Sequence, residues 1–342
     1  MVLKKRAKRT PIGRRQADTG YPRLTFDQAF DLVVSAKCAE GVRERTLTGY
    51  SNHWKQFTKW LRDNYDVEYV DELTSDHFRD HVNYMRYDAK RYDGHKFITS
   101  EQRIGLSDTT VNIRLRTLKA VFNHLSREEL IEVNPITNVK LIRQDVDLTN
   151  CFTDDEVKAL LEQPDRRDFV GFRDFVGMTC LLDSGMRASE LLGLRIPDID
   201  FQTRFITIPG ERSKNRKPRH IPISAHTSKL LLQLISENRE HFTTDRLFLS
   251  CYGEPLSPNH FNKRLKYYGE RAGISAKKMT SHVWRHTWAK GMVLNGADPF
   301  TIQKMGGWAD IRTMRRYVQM DTEDIRNSHD AYSPVNRFIR KR

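Results

Sequence analysis

Three short stretches, far apart in the chain, carry side chains whose types and spacing suit work on a phosphate. Gly185-Met186-Arg187-Ala188-Ser189-Glu190-Leu191 sets an arginine at the start of a helix, with a glutamate three residues on. Ser281-His282-Val283-Trp284-Arg285-His286-Thr287-Trp288-Ala289 puts His282 and Arg285 on one helical face, a turn apart. Gly306-Gly307-Trp308 precedes Tyr317 by nine residues, and Arg315 and Arg316 stand just before that tyrosine. Arginine presents a permanent planar fork of donors that matches phosphate oxygens, and histidine is the side chain that titrates near neutrality. Each stretch alone is a weak signal. Arg and Glu at i,i+3 are ordinarily a surface pair. His282 and His286 at i,i+4 have a spacing that can hold zinc, but no Glu occupies the zincin position and no Cys is close in sequence.

The elements that must position these residues fall into two groups. Over residues 25–134 the pattern is mainly helical. Leu47, Tyr50, Trp54, Phe57 and Leu61 recur at spacings of three and four, giving one apolar stripe. The opposite face carries Lys55, Lys59 and Arg62. A second strong helix starts at a Ser107 cap and runs through Val111, Leu115, Leu118, Phe122 and Leu125, with Arg114, Arg116 and Lys119 on its other side. Shorter helices are predicted over 26–38 and 75–90, and 91–106 reads as a long polar loop. Asn134-Pro135 ends the helical region, and 135–150 reads as a linker. Thr153 and Glu156 form a capping box that opens the second group. There, Phe169 to Leu194 predicts two helices broken at Gly185. Residues 204–208 and 219–223 alternate as paired strands do, with a charged tip between them. Further helices are predicted around 230–235 and over 258–271, 281–295, 299–305 and 311–318.

Charge narrows the partner. The chain has 342 residues and a formal net charge of +14, which points to a polyanion. Half of the excess lies in residues 1–24, where Lys4, Lys5, Arg6, Lys8, Arg9, Arg14, Arg15 and Arg23 face only Asp18. Such a block reads as a flexible basic arm. No apolar run approaches the roughly 18 residues that span a bilayer, and no apolar stretch follows the basic N-terminus as in a secretory signal. Cys38, Cys151, Cys180 and Cys251 are far apart, without a CxxC pair, so reduced thiols are expected rather than a zinc site or disulfide framework. The expected setting is the cytoplasm, with nucleoid association in a prokaryote.

In order and spacing, these stretches resemble the tyrosine recombinases, over residues from about 25 to 330. Arg187 matches the family's first arginine box and His282-x-x-Arg285 the second. Trp308 stands where many members have His and some have Trp, and Tyr317 falls at the spacing of the nucleophile. The family also places a lysine on a β-hairpin; the segment from Lys214 to Ile223 resembles that hairpin, and Lys214 falls at the catalytic position. The resemblance implies a mainly α fold with a small β-sheet in the catalytic domain: an N-terminal helical core-binding (SAM-like) domain, then a mixed α/β DNA breaking-rejoining domain. The expected organisation is an arm over 1–24, the core-binding domain over 25–134, a linker over 135–150, the catalytic domain over 151–330 and a tail over 331–342.

The chemistry of these residues agrees with that resemblance. Arg187 and Arg285 would neutralise charge building on the non-bridging oxygens; one such preorganised donor typically contributes about 3–4 kcal/mol. A tyrosine with a pKa of about 10 is only about one part in a thousand ionised at pH 7, so Tyr317 needs nearby cations and a base. His282 is the candidate base. Lys214 can protonate the departing 5′ oxygen, and the Trp308 ring nitrogen can donate one hydrogen bond. The resemblance implies a 3′-phosphotyrosine intermediate, a free 5′-hydroxyl and four protomers in synapsis. Because the covalent step conserves the ester, no cofactor is expected, and the chain has no GxxxxGK[ST] loop. Glu190 reads as supporting, His220 as exposed, and Trp284 and Trp288 as core. The expected partners are double-stranded DNA and further copies of this chain, without a membrane. The two domains are expected to close on the duplex as a C-shaped clamp, and 319–342 to dock on a neighbouring protomer. The basic arm suggests a mobile-element or phage integrase. Two other readings stay open: a type IB topoisomerase, and a DNA-binding protein that has lost catalysis.

Overall fold

The structure is a computed structural model describing residues 20–91, 104–144, 151–213, 215–275, 277–315, 320, 322–333 and 335. It divides into two compact units, Met1–Val146 and Asp147–Arg342.

The first unit is built from α1 (Phe26–Ala39), α2 (Glu44–Asn64), α3 (Ser75–Tyr87) and α4 (Asp108–Arg127). Thr25 and Gln28 cap α1 reciprocally, and the Ser107 hydroxyl accepts from the Thr110 N–H at 3.3 Å to start α4. The α2 stripe does what its spacing predicts: Trp54, Phe57 and Leu61 are buried. Trp54 is the hub, with Phe30 stacked on it at 5.3 Å and Phe57 and Phe122 at 6.0 and 5.9 Å. In α4, Val111, Leu115, Leu118, Phe122 and Leu125 are all buried.

The expected linker begins too early. Ile136 and Val139 are buried in this same core. The Asn112 side chain also donates to the Ile142 carbonyl and accepts from the Ile142 N–H, both at 2.9 Å. Two apolar residues three apart, plus a reciprocal amide pair, hold residues 135–144 to α4; residues 145–150 lie outside the described set. Most of the predicted 91–106 loop is outside it too, as are residues 1–19 of the basic arm.

The second unit runs α5 (Asp154–Leu161), α6 (Phe169–Ser184), α7 (Ala188–Leu192), β1 (Ile199–Asp200), β2 (Phe205–Ile208), β3 (Arg219–Pro222), α8 (Ala225–His241), α9 (Pro258–Arg271), α10 (Ser281–Leu294), α11 (Pro299–Gly306), α12 (Ile311–Arg315) and α13 (Thr322–Tyr332). The sheet is antiparallel in the order β1-β2-β3, with Phe205 opposite Pro222 and Ile208 opposite Arg219. Helix α6 is apolar on most of its faces, as a central helix must be, and packs against α8 and α10. Three elements go beyond the sequence reading. Strand β1 has only two residues; α8 extends well past 230–235 on polar flanks, with Ser224 as its cap; and α13, where no helix was expected, buries none of its residues. Helix α13 is held to its own unit by a Lys290–Asp324 ion pair at 2.6 Å. Among the described residues no helix is long and apolar enough to cross a membrane.

One glycine fixes how the first arginine is presented. Gly185 ends α6 at φ 60°, in the left-handed region, and a Cβ there would sit 2.1 Å from the Trp288 ring. Gly185→Ala is therefore expected to lower stability by about 2–5 kcal/mol, combining left-handed strain with overpacking. Chemical denaturation of the variant against wild type measures it.

Candidate active site

Immediately after Gly185 the chain turns, buries Met186, and begins α7 with Arg187 as its N-cap. Glu190, three residues on, accepts from the Arg187 backbone N–H and from its guanidinium Nη1, both at 2.9 Å. A second arginine closes on the same carboxylate. Arg219 of β3 donates Nη1 to Oε1 at 3.0 Å and Nη2 to Oε2 at 2.6 Å. Burial pushes the Glu190 carboxyl up, but the hydrogen bonds and charge of Arg219, with those of Arg187, outweigh it and hold the group below the usual carboxylate range.

Arg285 projects from α10 and is 2% exposed. It donates Nη1 to the Gly185 carbonyl at 2.6 Å and Nη2 to the Gly306 carbonyl at 2.7 Å. Its guanidinium lies 4.1 Å from the centre of the Trp308 ring, which in turn stacks on Trp288 at 6.1 Å. Gly307, at φ 65°, caps α11 and turns the chain into Trp308. The Gly307 carbonyl accepts from Arg187 Nη2 at 3.2 Å and from the Asn215 amide at 3.0 Å. Arg187 and Arg285 thus reach consecutive carbonyls of one turn, on residues whose Cα atoms are about 3.8 Å apart.

Of the residues singled out in the sequence, Arg187, Arg285 and Trp308 are brought together around Gly306 and Gly307. His282 is exposed, one helical turn before Arg285. Lys214 and Tyr317 lie outside the described residues. His220 is exposed and shares a hydrogen bond with Thr207 across the hairpin at 3.0 Å. Trp284 and Trp288 are core. In the first unit Lys55, Lys59 and Arg116 are exposed. Arg62 is exposed but pairs with Asp27 at 3.3 Å. Arg114 and Lys119 are half-buried, and the Lys119 ammonium donates to the Ile136 carbonyl at 3.0 Å. Burial lowers the pKa of both.

Arg219 is the residue that sequence reasoning passed over. Its signal was present: position 219 is in phase with Ile221 and Ile223 on the inward face of β3, so a charge there had to be buried and paired.

His286, on the next turn of α10 after His282, is half-buried. Its pKa is lowered to about 4, first by burial and then by the charges of His282 and Arg285. A folded-state pKa below the unfolded value of about 6.5 means that the unfolded chain takes up the proton first as pH falls. The stability associated with a neutral His286 is complete above about pH 6.5 and is lost toward pH 4. His286→Gln is expected to flatten the fall in the melting temperature across that window by about 2–4 °C, the equivalent of about 1 kcal/mol in a unit of this size. Calorimetry at matched pH values reads it.

A profile described as the phage integrase family matches residues 150–324, just over half of the chain. The tyrosine recombinase XerD of Halalkalibacterium halodurans is 26% identical over 302 residues, covering 87% of this chain and 94% of that protein. The XerD of Staphylococcus aureus is 30% identical over 234 residues, covering 67% of this chain and 78% of its own. Among solved structures, the Tn1549 transposon integrase in complex with a circular intermediate DNA matches with a TM-score of 0.70 at 20% identity, covering 90% of this chain and 100% of that one. A lambda integrase dimer bound to a COC′ core site matches with a TM-score of 0.64 at 16% identity, covering 87% and 78%. At those identities the structures speak for the fold, and the family rests on the profile and the sequence relatives. The chain belongs to the phage integrase family, and it is a site-specific recombinase of the tyrosine type.

Proposed function

We propose that this recombinase binds double-stranded DNA and seats one phosphodiester between the guanidinium groups of Arg187 and Arg285, where the phenol of Tyr317 attacks it. Attack breaks the bond from phosphorus to the 5′ oxygen and leaves a 3′-phosphotyrosine and a free 5′-hydroxyl. The reverse step, by a 5′-hydroxyl from a partner strand, restores the diester without an external energy source. His282 takes the phenol proton, Lys214 supplies one to the departing oxygen, and the Trp308 ring nitrogen donates to the phosphate. Lys55, Lys59, Arg62, Arg114, Arg116 and Lys119 are the candidate DNA contacts of the first unit; Lys55, Lys59 and Arg116 are the freest to reach a backbone phosphate. Strand exchange uses four copies of the chain in synapsis, and the work is done in the cytoplasm, on the nucleoid in a prokaryotic host.

The observation that carries the reading is the convergence of Arg187 and Arg285 on the Gly306–Gly307 turn from helices far apart in sequence. Two fixed cations there would stabilise a pentacoordinate phosphorane in a way that water, which must reorganise, cannot. A relative that covers 87% of this chain, and so most of both units, is named a tyrosine recombinase, which favours this reading over a topoisomerase or a DNA-binding protein without catalysis.

A nicked duplex that traps the covalent complex tests it. Sites are taken from a randomised duplex library by selection on the wild-type protein. Wild type is expected to form a protein–DNA adduct that survives denaturing electrophoresis. Tyr317→Phe is expected to shift the same duplex equally well and form none. Repeated relaxation of a plasmid lacking the selected site would instead support a topoisomerase, and equal adduct from Tyr317→Phe would assign the nucleophile elsewhere.

A further inference from the structure

Arg219 is an arginine in a basic, DNA-acting protein whose guanidinium is closed off from solvent. Its side chain is 7% exposed and that of its partner Glu190 is 1% exposed. The contacts of that guanidinium run toward the arginine clamp and the turn beneath it. Two nitrogens take the two oxygens of Glu190, and Nε donates to the Met305 carbonyl at 3.0 Å, at the end of α11. Gly307 lies directly over it: a Cβ added there would sit 3.1 Å from three Arg219 atoms. Glu190 in turn holds the backbone and the Nη1 of Arg187.

We infer that Arg219 is a positioning residue for strand cleavage: by binding both oxygens of Glu190 and the Met305 carbonyl, it fixes Arg187 and the Gly306–Trp308 turn in one register. Glu190 is the intermediary. As an anion it has two oxygens to accept with, one shared by the Arg187 Nη1 and the Arg219 Nη1, the other by the Arg187 N–H and the Arg219 Nη2. As a neutral acid it carries a proton on one oxygen, which no longer accepts as well, so Arg187 loses part of its hold on Glu190 and is fixed less firmly. Arg219 is therefore the residue that keeps the carboxylate charged in a buried place. Lysine cannot replace it, since an ammonium lacks the planar fork that spans both oxygens and leaves Nε for a third acceptor. The strand that carries Arg219 is also the return arm of the hairpin whose tip residue Asn215 reaches the Gly307 carbonyl. One guanidinium thus ties the hairpin, the first arginine box and the turn before Trp308 to one another.

The inference rests on the recombinase reading, and its test separates the two. Wild type, R219M, R219K, E190Q and the double variant R219M/E190Q are compared on the selected nicked duplex. Adduct formation is followed in single turnover from pH 6 to pH 9, with binding measured separately by gel shift. Wild-type adduct formation tests the reading; the variants, relative to wild type, test Arg219.

Because the Arg219 nitrogens are taken by the Glu190 carboxylate and the Met305 carbonyl, DNA affinity is expected to stay within about threefold, while R219M slows cleavage at pH 7 by on the order of a hundredfold, the scale of an ångström's misplacement. R219K is expected to fall between wild type and R219M. Relative to wild type, whose own rate follows the ionisation of its base, R219M should gain an additional pH dependence. Without Arg219, burial raises the Glu190 carboxyl, so cleavage recovers as pH rises and that group ionises. E190Q should lose cleavage without that recovery, and the double variant should be no slower than the worse single one, since both remove the same link. Cleavage by R219M within threefold of wild type overturns the inference. So does an R219M loss that is the same at pH 6 and pH 9, which marks plain structural damage, and so does an E190Q variant as fast as wild type. If R219M does not accumulate as folded protein, R219K and E190Q decide: both slowed at unchanged affinity uphold it, and either at wild-type rate rejects it.

Discussion

The arrangement of the second unit depends on one kind of interaction: a buried guanidinium donating to backbone carbonyls that no helix or strand uses. Arg285 spans the Gly185 and Gly306 carbonyls, which end two different helices. The last turn of a helix leaves its carbonyls without intrahelical partners, and the negative end of its dipole favours a cation there. Two helix ends that would each be awkward to bury become acceptors for one fork. Both ends need glycine in the left-handed region, at φ 60° and 65°, for the chain to turn away at once. Trp308 then covers the guanidinium face at 4.1 Å, which adds a cation–π contact and keeps water out. The cation proposed to act on the phosphate is thus the same cation that joins α6, α10 and α11.

Charge is buried elsewhere in the unit under the same discipline. Arg173 and Asp174, in the middle of α6, are almost wholly inaccessible; their nearest nitrogen and oxygen are 2.6 Å apart, and Arg173 also donates to the Leu249 carbonyl at 2.7 Å. Arg264 and the Tyr268 hydroxyl each donate to the other Asp174 oxygen at 2.8 Å. Burial and the Asp174 charge push the Tyr268 phenol above its ordinary range, so this tyrosine stays a donor and is no reservoir of phenolate. The contrast is instructive for Tyr317. A phenol beside a carboxylate is held protonated, whereas one facing the clamp would have two arginines, and the carboxylate that pairs with Arg187, Glu190, is also taken by Arg219.

Much of this could be read from the chain. Period and caps gave the α2 and α4 stripes, the Ser107 and Thr153 caps, the break at Gly185 and the paired strands, because each of those signals is local. What escaped was set by tertiary partners. Ile136 and Val139 look like a linker until α4 is there to receive them. Strand β1 exists because β2 offers it a ladder, and α13 has no buried stripe to announce it. At the site, type and spacing marked the stretches that hold Arg187, His282, Arg285 and Trp308, and the resemblance to the tyrosine recombinases gave them roles. It could not give Arg219 a task, because the partner that explains a buried arginine on β3 is a glutamate nearly thirty residues earlier, on α7.

The central claim is that Arg187 and Arg285 act on phosphate charge. The most direct measurement replaces the scissile phosphate with a methylphosphonate, which has the same shape but no negative charge, and compares single-turnover cleavage by wild type and Arg187→Ala. If the guanidinium neutralises charge that develops on the non-bridging oxygens, the variant's defect on the natural diester, on the order of a hundred- to a thousandfold, shrinks sharply on the neutral substrate. A defect of equal size on both substrates would contradict the account.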